Sequence, residues 1–440
     1  MESGFEFIHA ADIHLDSPLH GLARYDDFPV RLFRDAPRAA LRGLVQLALD
    51  RAVAFVLIAG DLYDGQWDDS RTGIFLSEQL GRLREADIPV VAIHGNHDAS
   101  TRMTRHIRFP PNVHFLGSER PETYPLRNGR IAIHGQSFAR QEARDNLVAT
   151  YPAPIAGAFN IGMLHTSLEG SREHDRYAPC GVQDLVRLGY DYWALGHIHT
   201  RRVVATQPPI VFPGNIQGRS SRETGAKGAY LVSVDAAHPQ IEPRLEFHEL
   251  DVVRWATWEV AIGGLETLDD FLAHVRQEAS RWREESGDRV VALRLIATGA
   301  GELHGKLAAD TARCEDEIRG ILSDVGQGAL WLEKFKRKTT PAQDQELRLE
   351  EGPLGEMRAV IDGILTGDSA ESAAKTKGAT EGDLALVRDL LDELRNKLPK
   401  ELERELETVE QWSDPESLRE LLEETVPFLQ RFIQQSEERA

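Results

Sequence analysis

The sequence predicts an α/β protein that continues into a smaller α+β unit and a helical tail. Three observations predict this. Short apolar runs alternate with helix-like segments over the first 250 residues, several runs end on polar or glycine-bearing corners, and both pattern and charge change near residue 250. Continuous apolar runs of this length, bounded by turn residues, are the mark of buried strands.

Taken in chain order, Phe5–Ala10, Phe55–Ile58, Val90–Ile93, Ile131–Ile133, Phe159–Leu164 and Tyr190–Leu195 read as strands. Pro37–Ala52 and Thr72–Glu85 read as helices between the early ones. From Val252 the order becomes strand (Trp255–Ile262), helix (Leu268–Glu285), strand (Arg289–Ile296), helix (Leu307–Leu322) and strand (Ala329–Phe335), a compact α+β unit. A polar connection, Thr339–Gly352, leads into a charged tail. There Gly367–Gly382 reads as a linker. Leu384, Val387, Leu391, Leu394 and Leu398 form an apolar stripe at helical spacing, and Leu418, Leu421, Leu422, Phe428, Leu429, Phe432 and Ile433 form a second. The expected division is 1–250, 251–340 and 341–440.

The net charge of −20 argues at first sight against a nucleic-acid binder. Residues 1–250, however, carry 26 basic and 30 acidic side chains, and residues 251–440 carry 25 and 41. The acidity therefore belongs mainly to the C-terminal part. Residues 101–150 are even basic, with eight basic against four acidic side chains. Only Cys180 and Cys314 are present, which excludes a disulfide framework and a cysteine-based zinc site. No apolar run is long enough to span a bilayer, and the N-terminus shows no secretory pattern, so a cytoplasmic protein without a membrane partner is expected.

Five polar motifs follow the early strands: Asp12-x-His14, Gly60-Asp61-x-x-Asp64, Gly95-Asn96-His97-Asp98, an isolated His165, and Gly196-His197-x-His199. Carboxylates, imidazoles and an amide suit Mn²⁺, Fe²⁺ or Zn²⁺ better than Ca²⁺. Asp12 and His14, two apart on an extended segment, project to one side and can chelate one ion. Seven ligands exceed one tetrahedral site but suit two ions sharing a carboxylate. Such a pair can polarise a phosphoryl oxygen and generate a hydroxide nucleophile near neutral pH. Each motif alone is compatible with a turn or a core histidine, and the ordered set is what points to metal. His9 and His94 read as structural or ligand-supporting, and His134 rivals His165 as the isolated ligand.

The segments FIHAADIHLDSP, LIAGDLYDG, AIHGNHD, LHTSLEG, WALGHIH and FPGNIQGR, in this order, resemble the calcineurin-like metallophosphoesterase superfamily, and within it the SbcD/YhaO-type DNA-repair exonucleases. The resemblance implies a two-sheet β-sandwich flanked by helices, with an α+β capping domain and a helical tail. It implies one metal held by Asp12, His14, Asp61 and His199, and another by Asp61, Asn96, His165 and His197, Mn²⁺ being the expected ion. His97 would protonate the leaving oxygen or contact the phosphate, with Asp98 orienting its ring. The role of Asp64 stays open between metal, substrate and backbone.

The implied activity is a 3′–5′ DNA exonuclease, with single-strand endonuclease activity also open, in which a metal-bound hydroxide attacks phosphorus. A phosphoesterase for nucleotides or other small phosphoesters and a non-catalytic DNA-end-binding subunit are the alternatives. Arg102, Arg105 and Arg108 share a helical face, and Arg201, Arg202, Arg219, Arg222 and Lys227 follow the later motifs. They are candidates to position phosphates, or else form a solvated charged face. The resemblance also implies an SbcC-type coiled-coil ABC ATPase as partner of the C-terminal helices, and allows a homodimer.

Overall fold

The computed structural model describes residues 4–17, 30–64, 71–99, 108–141, 143, 145–168, 177–235 and 242–342. The linker and apolar stripes of the tail, Arg102 and Arg105 lie outside these residues. The described strands are β1 (Phe5–Ala10), β2 (Phe55–Ala59), β3 (Val90–Ile93), β4 (Val113–Phe115), β5 (Glu122–Leu126), β6 (Ile131–Gly135), β7 (Phe159–His165), β8 (Tyr192–Gly196), β9 (Arg202–Thr206), β10 (Pro209–Phe212), β11 (Gly228–Val234), β12 (Arg244–Glu249), β13 (Val253–Ala261), β14 (Val290–Ala300) and β15 (Leu330–Thr340). The α-helices are α1 (Val30–Asp50), α2 (Arg71–Glu85), α3 (Asn96–Ala99), α4 (Val182–Arg187), α5 (Leu268–Ser286), α6 (Leu303–Ala309) and α7 (Thr311–Gly326).

Two six-stranded sheets form the main body, in the orders β12-β11-β1-β2-β3-β4 and β5-β6-β7-β8-β10-β9. In the first, β1 to β4 are parallel; in the second, β6, β7, β8 and β10 are parallel. Antiparallel strands close the edges at β11–β12, β5 and β9. The sheets pack face to face through Phe7, Phe55, Leu57, Val91 and Ile93 on one side and Ile133, Ile161, Met163, Tyr192 and Val211 on the other. Phe7 stacks on Phe55 at 4.9 Å and meets Tyr192 edge-on at 5.3 Å, which ties the two sheets through aromatic contacts. On the outer face of the first sheet, Leu41, Leu44, Val45, Leu76 and Leu80 of α1 and α2 cover Ile8, Val56 and Val90. Both faces of the central strands are thus buried, which is why they read as uninterrupted apolar runs.

β1, β2, β3, β7, α2 and α5 lie within a residue of their expected limits, whereas other elements depart from them. α1 begins at Val30 rather than Pro37. Phe33 and Ala36 in its first turns pack with Trp255 and Trp331, and this burial outweighs the amide that Pro37 lacks. The helix expected over Leu307–Leu322 is two helices, α6 and α7, parted at Asp310 with φ −146° and ψ 69°. The strands β11 and β12 have no counterpart in the expected set.

The chain forms two compact units. One comprises the described residues to Val260 with Leu272–Ile296 and Glu315–Lys336; the other comprises Ala261–Phe271, Ala297–Cys314 and the described residues from Arg337. Strands β13, β14 and β15 make a three-stranded sheet. Trp255 and Trp258 are buried. Among the described residues no helix is long and apolar enough to cross a membrane.

Candidate metal centre

The parallel strands β1, β2, β3, β7 and β8 deliver their carboxyl ends to one edge of the sandwich, where α/β folds place ligands. Beyond β1 and β2 the chains run on side by side: Asp12 N–H donates to Gly60 O, His14 N–H to Asp61 O and Leu15 N–H to Leu62 O, each at 3.0 Å. Asp12, His14, Asp61 and His197 all hold positive φ (50°, 45°, 51° and 98°). Left-handed backbone at four non-glycine residues is costly, and it is concentrated where side chains must be re-aimed from the sheet into the corner. Two glycines make room. A Cβ on Gly60 (φ +94°) would collide with the His165 ring, and one on Gly95 would collide with Asp61 and lie 2.7 Å from His165 Cε1.

All seven residues expected to bind metal are brought together. Asp12, His14, Asp61 and His165 are fully buried or nearly so. His14 Nε2 lies 3.1 Å from His199 Nε2 and 3.8 Å from Asp61 Oδ2. His165 Nε2 lies 3.3 Å from Asp61 Oδ2 and 3.0 Å from Asn96 Oδ1, which is also 3.3 Å from His197 Nδ1. Asp12, His14 and His199 offer donor atoms to one point, and Asp12, Asp61 and His165 to another. Asp61, near both His14 and His165, stands between the two halves. His134 is elsewhere, held by Thr123 Oγ1 at 2.8 Å and Asn160 Oδ1 at 3.1 Å. His9 bonds Tyr192 Oη and Leu195 O, and burial pushes it down to about 3; His94 stacks on Phe115, and burial pushes it down to about 4.

The donor set fits divalent cations. His165 Nδ1–H donates to Ala59 O at 3.0 Å, which leaves the Nε2 lone pair facing the oxygens of Asp61 and Asn96. His199 Nδ1–H donates to Glu223 Oε1 at 2.8 Å, which leaves its Nε2 lone pair facing His14 Nε2. Lone pairs directed at one another across such distances are stable only with a proton or a cation between them. Although burial works against it, Asp61 and Asp12 push His165 up to about 9. Burial pushes Asp12 up and His14 well down. Cation binding here would release protons.

Beside this cluster, His97 Nδ1 and Asp64 Oδ1 are 2.6 Å apart. That hydrogen bond raises His97, against the opposing effect of burial. Asp98 does not orient this ring. Its carboxylate accepts the amides of Leu62, Tyr63 and Gly95 at 3.0–3.2 Å, and so laces the β2 corner to the β3 corner. The carboxylate at the ring is Asp64, which also accepts from Ser17 Oγ at 2.8 Å.

The arginines divide. Arg219 reaches the cluster but is engaged with carboxylates, Nη1 donating to Asp64 Oδ2 at 2.9 Å. Arg222 is exposed. Lys227 is buried, with Nζ donating to His199 O at 3.0 Å, and so supports the backbone of a candidate ligand. Arg201 lies over the Phe247 ring at 4.0 Å. Glu223 is a side chain at the cluster that the sequence reading did not single out. Its carboxylate, well below the usual range despite burial because of His199 and Arg219, fixes the His199 tautomer.

A family model described as calcineurin-like phosphoesterase matches residues 5–201, and one described as the middle domain of metallophosphoesterase YhaO matches residues 255–340. The chain belongs to the calcineurin-like phosphoesterase family, and is a metal-dependent hydrolase by family. More particularly, it is 36% identical over 303 residues to the uncharacterized metallophosphoesterase YhaO of Bacillus subtilis (strain 168), covering 68% of this chain and 73% of that protein. It is 27% identical over 255 residues to the DNA double-strand break repair protein Mre11 of Sulfurisphaera tokodaii, covering 54% of this chain and 62% of that one. The Mre11 of Methanopyrus kandleri is 22% identical over 389 residues, covering 81% and 75%. These relatives fit the SbcD/YhaO-type branch.

Proposed function

We propose that the chain is a two-metal phosphodiesterase that acts on DNA ends as a repair exonuclease, with Mn²⁺ as the working ion. The observation that carries the reading is the convergence of Asp12, Asp61, Asn96 and four imidazoles beside the His97–Asp64 pair. Two divalent ions held there would polarise a phosphoryl oxygen and supply hydroxide near neutral pH. Asp12, His14, Asp61 and His199 would hold one ion; Asp61, Asn96, His165 and His197 would hold the other. Asp64 fixes the His97 ring through Nδ1, so the proton available for transfer is on Nε2. His97 gives that proton to the departing 3′-oxygen. The His97 side chain is 37% exposed, so substrate can reach it.

Two features support DNA as substrate: relatives named as DNA double-strand break repair proteins, and the basic excess of residues 101–150. The apolar stripes of the tail support docking of an SbcC-type ATPase. The test is hydrolysis of end-labelled linear duplex in Mn²⁺, beside a panel of nucleotides and cyclic nucleotides. Shortening of the duplex from its 3′ ends is expected. Turnover confined to the small esters would replace the DNA reading with a small-molecule one.

A further inference from the structure

The segment 215–227 meets the metal cluster through a chain of alternating charges. His97 Nδ1 pairs with Asp64 Oδ1; Arg219 Nη1 donates to Asp64 Oδ2 at 2.9 Å; Arg219 Nε and Nη2 each lie 3.4 Å from Glu223 Oε1; and that oxygen accepts from His199 Nδ1 at 2.8 Å. The other Glu223 oxygen accepts from Asn215 Nδ2 and from the Arg219 amide, both at 2.7 Å. The segment is itself anchored. Trp255 Nε1 donates to Gly218 O at 3.0 Å, Gly225 N–H donates to Trp255 O at 3.0 Å, and Arg294 Nη2 donates to Ser221 Oγ at 2.6 Å.

We propose that Arg219 and Glu223 are positioning residues for the phosphodiester reaction: one guanidinium sets the carboxylate that orients His97 and the carboxylate that orients His199 in a common register. The inference rests on the reading of the cluster as a metal site. A guanidinium suits the task because its fork carries donors on two edges, one toward Asp64 and one toward Glu223. An ammonium has three donors on a compact, rotatable head but no planar fork, so it would hold the two carboxylates in no fixed register. Drawing Arg219 off to a substrate phosphate would leave Asp64 and Glu223 without their shared cation, so the geometry favours positioning over phosphate binding. Glu223 acts on the ion through His199: with Nδ1 committed to the carboxylate, Nε2 is presented as a lone pair.

The test uses the full chain, stripped of metal by chelation, with Mn²⁺ alone as the binding probe and bis(p-nitrophenyl) phosphate as the kinetic one. Glu223→Gln is expected to weaken Mn²⁺ binding in calorimetry by about 10–100-fold. Arg219→Lys is expected to lower kcat by roughly tenfold or more while KM changes less than about twofold. Unchanged Mn²⁺ affinity in Glu223→Gln, or a raised KM at normal kcat in Arg219→Lys, would overturn the proposal. The lysine variant retains a cation, so it provides the kinetic result if the glutamine variant is destabilised. Asp61→Asn distinguishes the two levels. If it too binds Mn²⁺ like wild type, the metal-site reading fails; if only it loses Mn²⁺, the positioning role alone fails.

Discussion

His134 and His165 are both fully buried, on neighbouring strands β6 and β7 of one sheet, yet their surroundings make opposite demands. His134 sits within β6, with both ring nitrogens bonded to the neutral Thr123 and Asn160 and its ring stacked on Tyr190 at 4.5 Å. Burial pushes it down, so it stays neutral. His165 sits at the end of β7, where the strand opens on Asp61, Asp12 and Asn96. There, against the opposing effect of burial, the carboxylates push it up. Burial alone therefore does not mark a ligand. A lone pair aimed at uncompensated carboxylates does.

The largest effect is expected at His165. Loss of a candidate ligand to one ion should lower phosphodiester turnover in His165→Gln by roughly 10²–10⁴-fold, about 3–5 kcal/mol of activation free energy, read in steady-state kinetics at saturating Mn²⁺. The comparison breaks if His134→Gln does the same. His134→Gln is instead expected to cost about 1–3 kcal/mol of stability in urea unfolding, with kcat close to wild type.

A smaller effect separates the two residues by pH. In chelator, the raised pKa of His165 contributes stability that is full below its ordinary 6.5 and is lost as pH rises through about 9. Wild type should therefore lose unfolding midpoint over that range more steeply than His165→Gln, and equal slopes would remove Asp61–His165 as the source. The smallest expected effect concerns the neighbouring His97. Asp64 is the largest cause of its raised pKa, so Asp64→Asn should let His97 lose its proton at lower pH. The alkaline limb of the kcat profile should move to lower pH, with the acid limb little changed.

The contrast also explains how far the sequence could be read. β1 and β3 were legible to the residue because burial on both faces leaves β3 wholly apolar and β1 mostly so, Glu6 and His9 being its polar positions. The corner ligands were legible because each immediately follows such a run. The partner of His97 was not. Asp98 adjoins His97 in sequence, but on the short helix α3 successive side chains diverge, so Asp98 turns inward to three amides. Asp64, 33 positions earlier, takes the ring, a contact made by the packing of two strand ends. Glu223 lies in an irregular segment with no periodicity to single it out, and its role is visible only through His199. The antiparallel strands β11 and β12 and the break at Asp310 depend on tertiary pairing and capping in the same way.

The most direct measurement is Mn²⁺ stoichiometry by equilibrium dialysis on the chelated full chain and on the two histidine variants. Two ions per chain are expected for wild type and for His134→Gln, and fewer than two for His165→Gln at the same free Mn²⁺. Loss of an ion in His134→Gln with two retained in His165→Gln would contradict the assignment of the cluster as the metal centre.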